Sequence, residues 1–162
     1  MIIFLDLELT LIKEWNTWGT AEFLLPEIEK IAALMTHMED EGHTVEMGLM
    51  SWAVWHELDK QNFNKKLRPE LERLLGRTFD DKFLWSMDDW GAQVLKYGGK
   101  AVTMEDMMDM FHKQEVLFVL SRVSPDFTSQ SVVLIDDAVE DGLSWHSPNN
   151  QCRVMMLNIT DA

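Results

Sequence analysis

The stretch Met1-Ile-Ile-Phe-Leu-Asp6-Leu-Glu8-Leu-Thr10-Leu11 begins with an apolar run that stops at an acidic residue. The segment Val132-Val-Leu-Ile-Asp136-Asp137-Ala-Val-Glu-Asp141, far along the chain, has the same form. A short apolar run that ends at a carboxylate is typical of a buried strand whose carboxyl end faces a ligand site. The two strand ends together predict one acidic site that handles phosphate.

Around these two segments, short apolar runs alternate with longer amphipathic stretches. This alternation predicts an α/β fold in which helices cover a sheet. The expected strands are Ile2–Leu5, Val45–Met50, Phe83–Trp85, Val132–Ile135 and Val154–Leu157.

Helices are expected between these strands. Pro26 opens one that Gly42 closes, and a second runs from Pro69 to Leu75 with Gly76 after it, because proline suits a first turn and glycine a helix end. Further helical stretches are expected from about residue 53 and over 104–111 and 116–123, on apolar spacing. The chain has no repeat or long linker, so we predict a single domain over residues 1–162.

The composition narrows the classes of function. The 162 residues, 46% of them hydrophobic, suit one globular domain with a substantial core. A formal net charge of -14 disfavours binding to a long nucleic acid or an anionic membrane. Cys152 is the single cysteine, which rules out an internal disulfide and favours a reducing compartment. Because Asp6 interrupts the apolar start, we expect no signal peptide or membrane span, and a soluble, cytoplasmic protein.

The acidic strand ends carry the candidate chemistry. Asp6 is the candidate nucleophile, because a carboxylate fixed at a strand end can attack phosphorus and form an acyl phosphate. Glu8 is the candidate general acid and base. Ser51, at the end of the second predicted strand, and a lysine near a helix start would bind phosphate oxygens. The candidate carboxylate ligands for Mg²⁺, a hard cation suited to phosphoryl transfer, are Asp136, Asp137 and Asp141.

The order of these residues resembles the motifs of the haloacid dehalogenase superfamily of phosphotransferases. The first motif of that family is Asp-x-Asp-x-Thr after an apolar strand, and here it reads Asp6-Leu-Glu8-Leu-Thr10. The second, a Ser or Thr that ends a strand, corresponds to Gly48-Leu-Met-Ser51. The fourth corresponds to Asp136-Asp137-Ala-Val-Glu-Asp141. The resemblance spans residues 2–158.

The resemblance implies a fold and an activity. The fold would be a Rossmann-like three-layer sandwich with a mostly parallel five-stranded sheet and no large cap domain. Asp6, Ser51 and Asp136 would converge at one edge of that sheet. The activity would be Mg²⁺-dependent hydrolysis of a phosphomonoester through an aspartyl phosphate on Asp6. The substrate would be a phosphorylated small molecule or the phosphorylated end of a macromolecule.

The resemblance also assigns the remaining site residues. Lys113 best matches the lysine of the third motif, and Lys100 is the alternative. Thr10 would bind phosphate together with Ser51 and Lys113. Trp15 and Trp18 follow the first motif, where the family has a flap over the site, and either stack on a substrate ring or pack in the core.

Glu8 departs from the family pattern, which has aspartate at this position. The side chain is longer by one methylene, and a displacement of about 1 Å can slow a catalytic step about 100-fold. The metal role is less affected, because the family uses the backbone carbonyl here. A second hypothesis follows, a phospho-ligand binding or regulatory protein with an attenuated site. A receiver domain fits less well, because its acidic pair would follow the first strand.

Overall fold

The computed structural model describes residues 1–15, 19–98, 113–127, 130–139, 144–146 and 153–160. A central sheet runs through these residues in the strand order β2-β1-β3-β5-β4. Neighbours among β2, β1, β3 and β5 are parallel, and β4 pairs with β5 in the antiparallel sense. The strands are β1 (Ile2–Leu5), β2 (Glu46–Leu49), β3 (Ser131–Asp136), β4 (Ser144–His146) and β5 (Arg153–Asn158).

Strand β1 lies between β2 and β3 and is buried on both faces. In the register of the sheet, Leu5 is opposite both Leu49 of β2 and Ile135 of β3. The carboxyl ends of three parallel strands therefore meet at one edge. The residues that follow these ends, including Asp6 and Ser51, are brought together by the strand pairing alone.

The described residues form five α-helices: α1 (Leu25–Asp40), α2 (Glu57–Lys66), α3 (Arg68–Leu75), α4 (Met87–Gly98) and α5 (Lys113–Val123). Pro26 lies in the first turn of α1. Backbone N–H groups in a first turn have no acceptor within the helix, so the N–H group that proline lacks costs no helical hydrogen bond. Gly76 ends α3 in the left-handed conformation, with φ of 69°. These helix ends agree with the proline and glycine signals of the sequence. Within the described residues, no helix combines the length and the apolarity needed to cross a bilayer.

The helices cover the sheet on two sides, each with its own core. Ile3 and Leu5 of β1 pack with apolar residues of α1, α2 and α3. Ile2 and Phe4, which point to the other face, pack with α4 and α5. Because side chains alternate between the two faces of a strand, β1 contributes to both cores. This arrangement confirms the predicted α/β class and is compatible with a Rossmann-like sandwich.

The second core is rich in aromatic rings. Phe4 lies with its ring centroid 4.7 Å from that of Trp90, and Trp85 lies 4.6 Å from Trp90. The Trp90 indole donates a hydrogen bond of 3.1 Å to the carbonyl of Leu49. Gly48 makes room for this packing, because a Cβ there would lie 2.6 Å from the Phe4 ring and 2.7 Å from the carbonyl oxygen of Phe83. Gly48, three residues before Ser51, is thus a packing requirement.

The predicted set of five strands is not confirmed, because the Phe83–Trp85 strand is wrong. Asp81–Phe83 form a 3₁₀ helix, and Leu84 makes only an isolated bridge to Leu49. The Asp80 side chain caps this turn by accepting from the N–H of Lys82 at 3.0 Å. The apolar residues Phe83–Trp85 are explained by the packing of their aromatic rings on one face of the sheet. Strand β4 was not predicted, and the expected helix over 104–111 lies outside the described residues.

Candidate active site

Asp6 follows β1 directly and is 6% exposed. Its backbone N–H donates to the carbonyl of Ile135 at 3.0 Å, so the ladder with β3 fixes the residue just beyond the strand. One carboxylate oxygen, Oδ1, accepts from Lys113 Nζ at 2.8 Å, and the other, Oδ2, accepts from Thr10 Oγ1 at 3.3 Å. Both oxygens of the candidate nucleophile are therefore held in a defined direction.

Lys113 joins the two acidic strand ends. Its Nζ lies 2.8 Å from Asp6 Oδ1 and 2.5 Å from Asp136 Oδ2, although 107 residues separate Lys113 from Asp6. Burial by itself lowers the pKa of the ammonium, but the charges and hydrogen bonds of Asp6 and Asp136 outweigh it, so the pKa is raised. Lys113 is thus a fixed positive charge at neutral pH. Lys100, the alternative, lies outside the described residues.

Asp136 and Asp137 bring two more carboxylates to the same point. Asp136 Oδ1 accepts from the N–H of Ala138 at 2.8 Å, which leaves Oδ2 directed at Lys113. Carboxylate oxygens of Asp6, Asp136 and Asp137 all lie within 4.8 Å of one another. Burial, a hydrogen bond to Asp6 and the charges of Asp136 and Asp6 raise the pKa of Asp137 to about 6. The crowding of like charges is what a bound cation would relieve.

These residues fit a magnesium ion by donor chemistry and spacing. Mg²⁺ prefers carboxylate and carbonyl oxygens at about 2.1 Å, so octahedral ligands lie about 3.0 to 4.2 Å apart. Three oxygens within 4.8 Å of one another need to move by less than about 1 Å to meet that geometry. Asp6, Asp136 and Asp137 are the residues that would hold it. Of the other predicted ligands, Glu8 lines the same cavity and Asp141 lies outside the described residues.

Ser51 and Thr10 occupy different positions relative to the site. Ser51 follows β2, is 1% exposed and lines the same cavity as Asp6. Its Oγ accepts from the N–H of Ala53 at 3.2 Å, so its own hydroxyl proton can be donated to a phosphate oxygen. Thr10 is fully buried, and its hydroxyl contacts Asp6. Thr10 therefore helps to orient the carboxylate of Asp6, and its predicted phosphate contact stays a prediction.

A tight turn presents Glu8 beside Asp6. The N–H groups of Thr10, Leu11 and Ile12 all donate to the carbonyl of Leu7, at 2.8 to 3.1 Å. Glu8 Oε2 accepts from the backbone N–H of Trp15 at 3.0 Å. This contact anchors the longer side chain by one oxygen, and Oε1 is the atom that could exchange a proton with a bound ligand.

Trp15 does not line the site cavity. Its side chain is 7% exposed and packs in the first core, and its indole N–H donates to the carbonyl of Gly19 at 2.9 Å. It borders a neighbouring cavity of about 430 Å³ together with Glu8, Glu14 and Thr20. Of the two alternatives that the sequence left open for Trp15, core packing is the one observed. Trp18 lies outside the described residues.

The site cavity has a volume of about 510 Å³ and lies where the chain reverses direction across the sheet. From β1 the chain first adds β2 on one side and later β3 on the other, and ligands of open α/β sheets bind at such a reversal. Six residues of the site predicted from the sequence line this cavity, namely Asp6, Glu8, Ser51, Lys113, Asp136 and Asp137. The sequence prediction missed Leu9, Trp52 and Gln114, which also line the cavity. Each of the three is adjacent in sequence to a predicted site residue, and this adjacency is a signal from which they could have been predicted.

Comparison with protein-family models, with curated proteins and with solved structures found no match.

Proposed function

We propose that the protein is a Mg²⁺-dependent phosphomonoester hydrolase that acts through an aspartyl phosphate on Asp6, with the fold and minimal cap of the haloacid dehalogenase superfamily. The observation that carries the proposal is the contact of one buried lysine with two strand-end carboxylates inside a cavity. Lys113 lies 2.8 Å from Asp6 and 2.5 Å from Asp136. A nucleophile, a fixed cation and metal-binding carboxylates are the groups that phosphoryl transfer requires.

In the first step, a carboxylate oxygen of Asp6 forms a bond to phosphorus while the bond from phosphorus to the leaving oxygen breaks. The leaving oxygen takes a proton from Glu8. In the second step, Glu8 removes a proton from a water molecule, and the water oxygen forms a bond to phosphorus. The bond from phosphorus to the Asp6 oxygen breaks, which releases phosphate and regenerates the Asp6 carboxylate. Ser51 and Lys113 would donate hydrogen bonds to the phosphate oxygens throughout. A bound Mg²⁺ would neutralise charge on those oxygens.

The proposal is tested with an aryl phosphate and Mg²⁺ on wild type, Asp6→Asn and the matched control Asp40→Asn, which alters an exposed residue at the end of α1. Turnover should fall at least about 1000-fold in Asp6→Asn and stay unchanged in the control. Acid-quenched wild-type protein should carry a phosphoryl group on the peptide that contains Asp6. Equal turnover in wild type and Asp6→Asn would rule out the proposed nucleophile.

A second candidate function is a phospho-ligand binding or regulatory protein. The hydrogen bond of 3.0 Å from the N–H of Trp15 to Glu8 Oε2 favours it, because it draws one oxygen of the general acid toward the backbone. Calorimetry with phosphorylated metabolites, run in parallel with turnover assays, separates the two functions. Binding without turnover in both wild type and Glu8→Asp supports the binding protein, whereas turnover restored by Glu8→Asp supports an enzyme.

A further inference from the structure

An aromatic side chain lines the cavity beside the proposed nucleophile. Trp52 follows Ser51 at the end of β2, is partly buried against the second core and borders the cavity together with Asp6 and Lys113. Its ring lies 6.1 Å from that of Trp55, at an interplanar angle of 54°. Packing on one side and the cavity on the other hold an indole beside the position where phosphate would bind.

Leu9 adds an apolar side chain to the same cavity at a conformational cost. It has φ of 64° and is the one non-glycine residue with positive φ among those the structure describes. The turn enforces this conformation, since the Leu9 N–H donates to the carbonyl of Ile12 at 2.7 Å. The side chain is 57% exposed. A leucine that is both strained and exposed contributes little to folding, and such strain is common where a residue contacts a ligand.

The remaining walls of the cavity suit a small ligand. Its volume of about 510 Å³ lies within the range of small-molecule sites, roughly 300 to 1000 Å³. Gln114, half-buried beside Lys113, offers an amide NH2 group as donor and an amide oxygen as acceptor. The cavity thus combines groups for a phosphate with an indole, a leucine and an amide. That combination matches a compact phosphomonoester with a flat apolar ring that carries polar edge atoms.

We propose that the substrate is a small phosphomonoester whose leaving group carries a planar aromatic ring, and that this ring stacks on Trp52. The inference deepens the proposed function and rests on phosphate binding next to Asp6 and Lys113. Stacking on an indole discriminates between a flat ring and a saturated ring of similar size, because only the flat ring offers a π face. Trp52 is then a specificity-determining residue, and Trp15 is not.

The first experiment uses benzyl phosphate and cyclohexylmethyl phosphate, whose leaving groups have similar size and basicity. The wild-type ratio of their kcat/KM values should be about 10 in favour of benzyl phosphate. Trp52→Leu should bring the ratio close to 1, and Trp52→Phe should preserve most of it. Trp85→Leu, the matched control at a partly buried tryptophan of the second core outside the cavity lining, should leave it unchanged. A wild-type ratio near 1, or an equal loss in Trp52→Leu and Trp85→Leu, would overturn the proposal.

The second experiment measures binding without turnover. Benzylphosphonate and cyclohexylmethylphosphonate are titrated into wild-type protein and Asp6→Asn with Mg²⁺, by calorimetry and by tryptophan fluorescence. Tighter binding of benzylphosphonate, about 10-fold, supports ring stacking even if no phosphomonoester is hydrolysed, in which case only the proposed reaction fails. Hydrolysis with equal binding of the two phosphonates overturns the stacking proposal alone. Because the titration of wild-type protein uses no variant, its result does not depend on whether a variant folds.

A third comparison identifies the source of the ring. The preference for a nucleoside monophosphate over its ribose phosphate is measured beside the preference within the benzyl pair. A larger preference in the nucleoside pair assigns the ring to a nucleobase set one sugar away from phosphorus. A larger preference in the benzyl pair assigns it to an aryl group close to phosphorus. Loss of either preference in Trp52→Leu ties the ring to the indole, and retention of both overturns the assignment.

Discussion

Two regions of the molecule hold a cation among carboxylates, and they do so differently. At the carboxyl edge of the sheet, Lys113 lies between Asp6 and Asp136. At the start of α3, Arg68 donates to Glu72 at 3.1 Å and to Asp81 at 2.6 Å. Arg68 also donates to the carbonyl of Phe79 at 2.9 Å and to Asn64 at 3.1 Å. The guanidinium N–H groups of Arg68 thus donate to four partners, which link α3 to α2 and to the segment that contains Phe79 and Asp81.

The difference lies in the balance of charge and in access to a ligand. The Arg68 cluster pairs its cation with Glu72, whose side chain is 20% exposed, and with Asp81, whose side chain is 86% exposed. Around Lys113, the ammonium contacts Asp6 and Asp136, a carboxylate oxygen of Asp137 lies within 4.8 Å of theirs, and all three acids line a cavity. An excess of negative charge in a partly buried place destabilises the fold unless a cation joins it. The structural cluster around Arg68 thus leaves one negative charge, from one cation against two acids, and Asp81 is open to solvent. The candidate functional cluster around Lys113 leaves two, from one cation against three acids, on carboxylates that line a cavity where a bound cation would neutralise them.

The largest expected effect comes from removing the cation of the candidate site. In Lys113→Met, turnover of an aryl phosphate should fall about 1000-fold, because the phosphate loses a fixed positive donor. The free energy of unfolding should also fall without Mg²⁺, since Asp6 and Asp136 are left unpaired. Initial rates and urea denaturation measure the two effects. Lys113→Met/Asp6→Asn should recover stability without recovering activity, and a double variant no more stable than Lys113→Met would contradict the pairing.

The next largest effect concerns Glu8, which borders the charged site but forms no ion pair with any of the residues that the structure describes. Glu8→Gln should slow turnover of an alkyl phosphate about 100-fold, because a poor leaving group needs a proton. An aryl phosphate with a good leaving group should be slowed much less. The measurement is the ratio of the two kcat/KM values, because kcat/KM reports the first step, in which Glu8 donates a proton, and not the later attack of water. Equal slowing of both substrates would show that Glu8 acts by position or charge, and not as a general acid.

Binding of Mg²⁺ should depend on pH through Asp137. Its pKa is raised to about 6, so its contribution to stability is full below the unfolded-state value of about 4 and is lost as the pH rises through about 6. Mg²⁺ competes with that proton, so its affinity should be about tenfold weaker at pH 5 than at pH 7. Calorimetry at the two pH values measures this. Asp137→Asn should raise the Tm of the metal-free protein at pH 7, and an unchanged or lower Tm would contradict the proposed repulsion.

The smallest effect on activity is expected from the structural cluster. Arg68→Met should leave turnover within about twofold of wild type, because Arg68 lies outside the site cavity. The free energy of unfolding should fall by about 1–3 kcal/mol, since Glu72 and the carbonyl of Phe79 lose charged donors. Urea denaturation and initial rates give the two values. A loss of activity comparable to that of Lys113→Met would remove the distinction between the two clusters.

The sequence predicted the parts of the site that strand ends determine. Asp6, Ser51 and Asp136 follow apolar runs, and the edge of a parallel sheet joins such positions whatever lies between them. Lys113 required the family resemblance, because no local pattern marks a lysine 107 residues from its partner. Trp52 was overlooked in favour of Trp15. Both follow a motif closely, and only the turn geometry decides which indole lines the cavity.

The errors in the fold have a similar cause. Phe83–Trp85 is an apolar run of three residues, too short for periodicity to separate a strand from a segment that packs across a sheet. Its rings pack against Phe4 in the second core, which explains the composition without strand pairing. Strand β4 has three residues and a single neighbour, β5, so little in its sequence distinguishes it from a loop. Central strands are buried on both faces and are therefore the easiest to predict.

The turn that replaces the predicted strand has a consequence for aggregation. An edge strand with free backbone groups is a template on which other chains can pair. On the outer side of β2, the carbonyl of Met47 accepts from the N–H of Asp80 at 2.9 Å, and the carbonyl of Leu49 accepts from the Trp90 indole. A side chain at position 48 would push the carbonyl of Phe83 outward and loosen this cover. Gly48 therefore protects the edge of the sheet from pairing with another molecule.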